Sequence, residues 1–336
     1  MNVEAAVKRL EYQELPVLDL GKYLDGDDGS LEGLAEMFRY ACSEIGFFAL
    51  SNHGVSDDII RRTFDATEAF HTLPMEQKLA IRINQNQRGY IPPKSTLIRH
   101  STYNENTKLD LNETYVFATD LDPTDFDVPQ DRRFYGANQW PAEPAEFKAT
   151  VQEYTDTLVA LGKKMLPIVA RSLGLEKDFF KPYFENNYTY ARMAHYPPDP
   201  SVGENEFGLG AHADTGFMTL LPPANVEGLD IQDKNGDWKR LPVIPNVMTV
   251  NIGMFLSRWT NDFFRATPHR VVSHPTEHRY SIPVFVNTSL EARAECLETC
   301  TSADNPPHYE SESYWDFFNW YMTNTYPHYK EFHNDA

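Results

Sequence analysis

From Tyr188 onward the chain is a series of short β-prone segments separated by turns rich in Pro, Gly, Asn and Asp. Eight such segments follow one another: YTYARMAHY, FGLGAHA, FMTLL, LDIQD, WKRLPV, VMTVNIG, HRVVSH and RYSIPVFVN. Many short strands divided by regular turn signals are typical of a sandwich or a jelly-roll barrel. The sequence therefore predicts a mainly β fold with added α-helices: a double-stranded β-helix (jelly-roll) core flanked by helices.

The part of the chain before Tyr188 is predicted to be largely helical. Apolar residues recur at helical spacing in Leu31–Ile45, after the capping residue Ser56, and in a long stretch over 144–173. Residues 84–140 are irregular apart from the strand-like Glu113–Ala118, and such a segment in a compact domain is often a lid or a binding loop. The aromatic tail from Tyr314 predicts one further helix.

These patterns predict one compact unit with four segments. Residues 1–120 form a helical N-terminal module with a lid region, and residues 121–187 contain a linking loop and the long helix. Residues 188–295 form the jelly-roll core, and residues 296–336 close it with a helix.

Charge and cysteine content restrict the partners and the compartment. The 336 residues carry 30 Lys+Arg and 49 Asp+Glu, a net charge of −19, so nucleic acid and anionic membranes are not expected partners. No obligate protein partner is evident either. The three cysteines are too few for a disulfide framework, and no secretory signal is apparent, which favours the cytoplasm. Cys296 and Cys300 make a poor zinc site without a nearby histidine pair.

The most specific chemical signal is the tripeptide His212-Ala213-Asp214. In a strand, alternate residues point to the same face, so His212 and Asp214 would project together. His269, in a later strand-like segment, is the best third ligand. Two histidines and one carboxylate form the facial triad of non-haem Fe(II) oxygenases, although an H-x-D pair alone is also common on protein surfaces.

A second pattern follows His269 in the sequence. Arg279 and Ser281 share one strand face, and a guanidinium beside a hydroxyl is a receptor for a carboxylate. Tyr196 could add a phenol to the same carboxylate. Arg279 alone could equally form a surface salt bridge, but the ordered set of metal and carboxylate groups favours a site.

With these motifs the sequence resembles the iron(II)- and 2-oxoglutarate-dependent dioxygenase superfamily, in its isopenicillin N synthase-like branch. The resemblance covers nearly the whole chain. It rests on LPVLDL, GFFALSNHGV and AFHTLPMEQK in the N-terminal part, and on GAHADTGFMTLL, VMTVNIGMFL and HRVVSHPTEHRYSIPVFVN in the core.

The resemblance implies an enzyme with Fe(II) on His212, Asp214 and His269. It implies 2-oxoglutarate as co-substrate, with its distal carboxylate on Arg279, Ser281 and Tyr196, and O₂ as oxidant. The family's N-Y-Y segment falls on residues 194–196, where the sequence has Ala-His-Tyr. Oxidation of the substrate would be a hydroxylation, a desaturation or a cyclisation, within a secondary metabolic pathway.

Strand alternation extends the prediction to a small-molecule substrate. If Tyr196 points inward, so does Arg192, which would meet an anionic group of a carboxylated or amino-acid-like metabolite or else form a structural ion pair. Phe285 is expected to wall the substrate side, and Tyr90, Tyr115 and Phe117 to cover its mouth. His71 and His195 are expected to be packing or surface histidines.

Two other functions are compatible with the sequence. One is an Fe(II) oxidase of the isopenicillin N synthase type that does not use 2-oxoglutarate, in which Arg279 and Ser281 would bind the substrate instead. The other is a non-catalytic barrel that binds a small acid, although a pure binding protein has no need of three metal ligands.

Overall fold

The computed structural model describes residues 15–97, 108–200, 203 and 205–326, and every structural statement below concerns these residues. The α-helices are α1 Gly21–Leu24, α2 Leu31–Glu44, α3 Asp57–His71, α4 Met75–Leu79, α5 Phe147–Ser172, α6 Met254–Trp259 and α7 Tyr314–Thr325. Short 3-10 helices span Asp28–Ser30, Pro123–Phe126, Lys181–Phe184 and Glu298–Cys300.

The strands fall into an N-terminal and a C-terminal group. The first group is β1 Val17–Asp19, β2 Phe47–Ser51, β3 Gly89–Ile91 and β4 Glu113–Ala118. The second is β5 Thr189–Tyr196, β6 Leu209–His212, β7 Met218–Leu221, β8 Leu229–Gln232, β9 Trp238–Arg240, β10 Met248–Ile252, β11 His269–Val271, β12 Arg279–Ser281, β13 Val284–Val286, β14 Arg293–Ala294 and β15 Glu312–Ser313.

Two sheets form the jelly-roll core, as predicted. The larger sheet has the order β1-β2-β10-β7-β13-β5-β4-β3, with β12 also paired to β5, and the smaller sheet has the order β6-β11-β8-β9. Strands that are distant in sequence are thus neighbours in space. The short hairpin of β14 and β15 lies outside both sheets.

The last predicted core segment, RYSIPVFVN, is two strands rather than one. β12 pairs with β5 alone, whereas β13 lies between β5 and β7. Pro283 separates the two strands, and a proline has no N–H to give to a sheet ladder. Its carbonyl oxygen still accepts a hydrogen bond of 3.1 Å from the backbone N–H of Arg192.

The helical layer covers the larger sheet. α5 packs against α2 and α3 and buries Tyr154, Leu158, Leu161 and Met165, the stripe that its sequence predicted. Gly162 permits close contact with the sheet, since a Cβ there would lie 2.9 Å from Val286 Cγ1. α3 begins at the predicted cap, where Ser56 Oγ accepts a hydrogen bond of 3.3 Å from the N–H of Ile59.

The N-terminal part also contributes strands, so it does not form a separate layer. β1 and β2 extend one edge of the larger sheet and β3 and β4 extend the other. The segment boundaries given by the sequence remain predictions. No helix in the described ranges is both long and apolar enough to cross a membrane. Cys42, Cys296 and Cys300 are free thiols.

Candidate metal centre and its cavity

The structure brings His212, Asp214 and His269 together at one end of the smaller sheet. His212 ends β6 and is the antiparallel register partner of His269 on β11. Asp214 Oδ1 lies 3.7 Å from His212 Nε2 and 3.6 Å from His269 Nε2. One ligand atom from each residue lies within 4.8 Å of the other two, so all three can bind a single metal ion.

Backbone carbonyl groups fix the orientation of both imidazole rings. His212 Nδ1 lies 2.9 Å from the carbonyl oxygen of Gly210, and His269 Nδ1 lies 3.2 Å from that of Thr267. A carbonyl accepts only, so each Nδ1 carries a proton, and in the neutral ring Nε2 is the nitrogen left for a metal. A hydrogen bond from the ring nitrogen that does not bind the metal sets the tautomer of a metal-binding histidine.

Two polar side chains of the larger sheet hold the carboxylate. Asp214 Oδ2 accepts hydrogen bonds from Thr219 Oγ1 at 2.5 Å and from Asn251 Nδ2 at 2.7 Å. These two donors are register partners on β7 and β10. No sequence motif indicated Thr219 and Asn251. The one available signal is that a polar side chain in a buried strand needs a hydrogen-bond partner.

The three buried residues change one another's pKa values. Burial alone would lower the pKa of His269, but the Asp214 carboxylate raises it above its usual value. Burial, and then the neighbouring His269, lower the pKa of His212 to about 3. Burial alone would raise the pKa of Asp214, but His269 and His212 hold it well below its usual range. Two free imidazole nitrogens and a carboxylate are the donor set of the facial triad, so the residues fit an Fe(II) ion.

A carboxylate receptor lies next to this centre. Arg279 and Ser281 pair with Tyr196 and Ala194 across β12 and β5, which places all four on one face. The Arg279 guanidinium carbon lies 4.9 Å from the centre of the Tyr196 ring. Arg279 is 2% exposed, and its Nε and Nη1 have no hydrogen-bond partner among the described residues. Such buried, unpaired donors fit the distal carboxylate of 2-oxoglutarate.

The metal centre and the carboxylate receptor open into one cavity of about 1100 Å³. Tyr190, Arg192, Ala194 and Tyr196 all line it, as strand alternation predicted for β5. Phe285 also lines it, stacked on Tyr190 with 4.2 Å between the ring centroids. The rest of the substrate side comes from residues that no sequence pattern assigned to the pocket: Ile83, Gln87, Ile91, Asn112, Val116, Phe318, Tyr321 and Met322.

Arg192 has no carboxylate within ion-pair distance among the described residues. Its Nη2 donates one long hydrogen bond of 3.4 Å to the Tyr326 hydroxyl, and within the described part of the chain its Nε has no hydrogen-bond partner. Asp110 is near enough for the Arg192 charge to act on the pKa of its carboxyl, but it does not form an ion pair with Arg192. The Asp110 oxygens instead accept hydrogen bonds from the N–H of Gly210 at 2.8 Å and from Thr96 Oγ1 at 3.0 Å. Burial also raises the pKa of Asp110 to about 7.

Tyr90, Tyr115 and Phe117 do not line the cavity, which corrects the expectation that they cover its mouth. Tyr115 and Phe117 lie on the opposite face of β4 from the cavity-lining Val116, because strand residues alternate. Tyr115 donates to the carbonyl oxygen of Gln139 at 2.7 Å, and Phe117 packs on Trp140 with ring centroids 5.1 Å apart.

Tyr90 belongs to a second buried cluster behind β5, built around Glu113. Glu113 Oε1 lies 2.8 Å from His195 Nδ1, and Oε2 accepts from Lys78 Nζ at 2.8 Å and from the Tyr90 hydroxyl. His71 Nδ1 lies 3.6 Å from the same Oε2. His71 and His195 are thus buried members of a polar network, more than simple packing residues.

Comparison with known proteins identifies the class. Residues 15–143 match the family model described as the non-haem dioxygenase in morphine synthesis N-terminal region, and residues 182–288 match the 2OG-Fe(II) oxygenase superfamily. The 2-oxoglutarate-Fe(II) type oxidoreductase hxnY of Emericella nidulans is 32% identical, over 88% of this chain and 85% of its own length. Kihadalactone A synthase LFS of Citrus sinensis is 34% identical, over 88% and 89%.

Solved structures agree with the sequence relatives. A full-length Neurospora crassa protein, in complex with alpha-KG and 5-formyluracil, superposes with a TM-score of 0.80 at 26% identity, covering 93% of this chain and 96% of that one. A 2OG-Fe(II) oxygenase family protein of Caulobacter crescentus gives a TM-score of 0.78 at 29% identity, covering 92% and 98%.

The chain belongs to the 2-oxoglutarate- and Fe(II)-dependent oxygenase superfamily. It is an enzyme of that class, which uses Fe(II), 2-oxoglutarate and O₂ and acts on small molecules.

Proposed function

We propose that His212, Asp214 and His269 bind the Fe(II) ion and that Arg279, Ser281 and Tyr196 bind the distal carboxylate of 2-oxoglutarate. The substrate is a small carboxylated or amino-acid-like metabolite held by Arg192. When bound, the iron with 2-oxoglutarate and O₂ supplies oxidation of a substrate C–H bond, leading to hydroxylation, desaturation or cyclisation. The protein orients the substrate and excludes water from the reacting bond.

The unpaired guanidinium of Arg192 is the observation that carries the substrate assignment. A cation enclosed in a mostly apolar cavity is costly unless it meets an anion. No acid of the described residues lies within ion-pair distance of it, so a bound carboxylate would supply the missing charge. Arg192 and Tyr196 lie four residues apart on the same face of β5 and line the same cavity, which supports a substrate carboxylate bound in the cavity that holds 2-oxoglutarate.

Relatives support a small polar substrate without identifying it. A rice relative at 28% identity is named homoarginine-6-hydroxylase, and a structure of the Neurospora crassa protein at 25% identity contains thymine. Relatives of this kind differ in substrate within one fold, because function depends on the side chains of the site. The residues that determine the substrate are those in the substrate half of the cavity, which we define as the part lined by Arg192, Phe285 and residues of β3, β4 and α7.

The test is O₂-dependent succinate formation with Fe(II), 2-oxoglutarate and a panel of small carboxylic acids and amino acids. We expect at least one acid to raise the rate. The variant Arg192→Met should increase the KM for that acid about 10- to 150-fold, since a hydrogen bond to a charged group is worth about 1.5–3 kcal/mol. Turnover of 2-oxoglutarate without substrate should not change.

The matched control is Arg293→Met, because Arg293 is exposed, lies outside the cavity lining and donates its side-chain hydrogen bonds to Ser311. This variant should retain the wild-type KM. An unchanged KM in Arg192→Met would contradict the role of Arg192 in binding the substrate.

We also propose a cytoplasmic location, supported by the three free thiols. Cell fractionation would test it, and recovery of the protein from an oxidising compartment would contradict it.

A further inference from the structure

Gln87 lies in a tight turn just before β3 and has an unusual backbone conformation. Its φ is +59°, in the left-handed region that a residue with a side chain seldom adopts. The N–H of Gln87 donates to the carbonyl oxygen of Asn84 at 2.9 Å, and the N–H of Asn84 donates to that of Arg88 at 3.0 Å. The turn therefore holds Gln87 in a conformation that a free chain would avoid.

The next residue anchors this turn to the rest of the fold. Arg88 is fully buried, and its Nη2 donates to the carbonyl oxygens of Thr119 at 2.7 Å and Phe134 at 2.9 Å. A rigid turn of this kind fixes the direction of the neighbouring Gln87 side chain, as a preorganised binding group requires.

Gln87 is a buried polar residue in the wall of the cavity. Gln87 lines the cavity, is 4% exposed, and its Nε2 has no hydrogen-bond partner in the described part of the chain. A buried amide without a partner costs about 1–3 kcal/mol. Together with the strained backbone, this unpaired donor points to a ligand that completes the hydrogen bond.

The turn that holds Gln87 precedes β3, which lies two strands away from β5 and Arg192 in the larger sheet. Gly89 on β3, Val116 on β4 and Arg192 on β5 form one row of register partners. With adjacent strands about 4.8 Å apart, the backbones of Gly89 and Arg192 are separated by about 10 Å. Gln87 precedes Gly89 by two residues, and both Gln87 and Arg192 line the cavity.

The surface between these two polar groups is apolar. Ile83, Ile91 and Val116 form a small cluster of buried aliphatic side chains, and all three line the cavity. Phe318 and Met322 of α7 also line it. A ligand that reaches both polar groups therefore has an apolar middle.

We propose that Gln87 is a specificity residue whose amide N–H donates to a hydrogen-bond acceptor of the substrate. This inference rests on the proposed function and narrows its substrate class. The substrate is an elongated acid: its carboxylate lies at Arg192, its apolar body covers the aliphatic cluster, and a carbonyl or similar acceptor lies at the other end, within about 10 Å.

The experiment uses the Fe(II)-loaded full chain and pairs of probe acids. Each pair consists of a medium-chain or aryl-substituted carboxylic acid ending in a methyl group, and an analogue of equal length ending in a ketone or a carboxamide. For wild type, the KM of the carbonyl-ended acid in the succinate assay should be about five- to tenfold lower, the value of one net hydrogen bond.

The variant Gln87→Met keeps the length of the side chain and removes the amide, so it should abolish this preference and leave the KM of the methyl-ended acid unchanged. Gln87→Asn keeps an amide, tolerates the left-handed backbone and should retain part of the preference. Gln77→Leu, at an exposed glutamine on α4, is the control and should behave as wild type. Thermal unfolding of each variant confirms folding.

Three results would count against the proposal, and they can be distinguished. If no acid stimulates wild-type turnover, the proposed function is wrong and this inference with it. If acids stimulate turnover without a preference for the carbonyl-ended members, the proposed function stands and the role of Gln87 is wrong. If the preference persists in Gln87→Met, another residue supplies the donor.

Discussion

Among the described residues, two clusters combine two histidines with one carboxylate: His212–Asp214–His269, and the cluster behind β5 of His71, Glu113 and His195. The difference lies in what their ring nitrogens and carboxylate oxygens already contact. In the first cluster both Nδ1 atoms are bonded to backbone carbonyls, so both Nε2 atoms and Asp214 Oδ1 remain for a metal.

The cluster around Glu113 has no comparable set of free ligand atoms. His71 Nε2 lies 2.8 Å from the carbonyl oxygen of Met193, and His195 Nε2 lies 2.8 Å from His278 Nδ1. The Lys78 ammonium group lies on the carboxylate, at 2.8 Å from Glu113 Oε2. A fixed positive charge at the carboxylate repels a metal cation. Residue types alone therefore do not define a metal site. Whether a cluster can bind a metal depends on which of its ligand atoms are already hydrogen-bonded.

The largest expected effect is a loss of Fe(II) binding, which should follow removal of Asp214 but not removal of Glu113. Asp214→Ala removes a metal ligand, so Fe(II) affinity should fall by more than the roughly 10- to 100-fold typical of losing a group that only hydrogen-bonds a ligand, and succinate formation should stop. Equilibrium dialysis with Fe(II) under anaerobic conditions measures this. In the same experiment Glu113→Ala should still bind one ion per chain, and a loss of iron there would contradict the distinction between the two clusters.

Glu113→Ala should instead reduce the free energy of unfolding. Glu113 and Lys78 side chains are 9% and 6% exposed, and removing the carboxylate leaves a buried ammonium without its partner. Breaking a buried ion pair in this way costs about 3–5 kcal/mol. Urea denaturation gives the value, and Glu76→Ala, at an exposed carboxylate on α4, is the control. A loss below about 1 kcal/mol, the range of a surface pair, would show that the network is not structural.

A smaller effect tests the groups that hold the metal carboxylate. Asn251→Ala removes one of the two neutral donors to Asp214 Oδ2 and leaves Thr219 in place. Fe(II) affinity should fall about 10- to 100-fold, with stability changed much less than in Glu113→Ala. The same dialysis experiment measures it, and wild-type affinity in this variant would show that Thr219 alone orients the carboxylate.

The metal and carboxylate groups could be predicted because strand alternation fixes relative direction over short distances. Arg279 and Ser281 share a face of β12 whatever the rest of the fold does. β6 ends at His212, and Asp214 lies just beyond it, close enough to complete the site. Alternation also placed Arg192 and Phe285 on the cavity wall. The third ligand, His269, lies far away in sequence, and the ordered set of motifs identified it.

The substrate half could not be predicted in the same way. Every residue of β4 is buried and its sequence, ETYVFA, has apolar residues on both faces, so the sequence does not indicate which residues meet the cavity, and the expectation that Tyr115 and Phe117 cover its mouth is wrong. Gln87 lies in a turn with a left-handed backbone, where no periodicity exists to indicate direction. Lys78 and Glu113 are 35 residues apart, and only the tertiary fold brings their side chains together.

The metal site itself can be tested by an anaerobic titration of the protein with Fe(II) and then 2-oxoglutarate, following the visible charge-transfer band of the chelate. We expect a band that saturates at one 2-oxoglutarate per chain in wild type, persists in His195→Phe and is absent in His212→Ala. A band that survives in His212→Ala, or that disappears in His195→Phe while that variant remains folded, would contradict the assignment of the metal site.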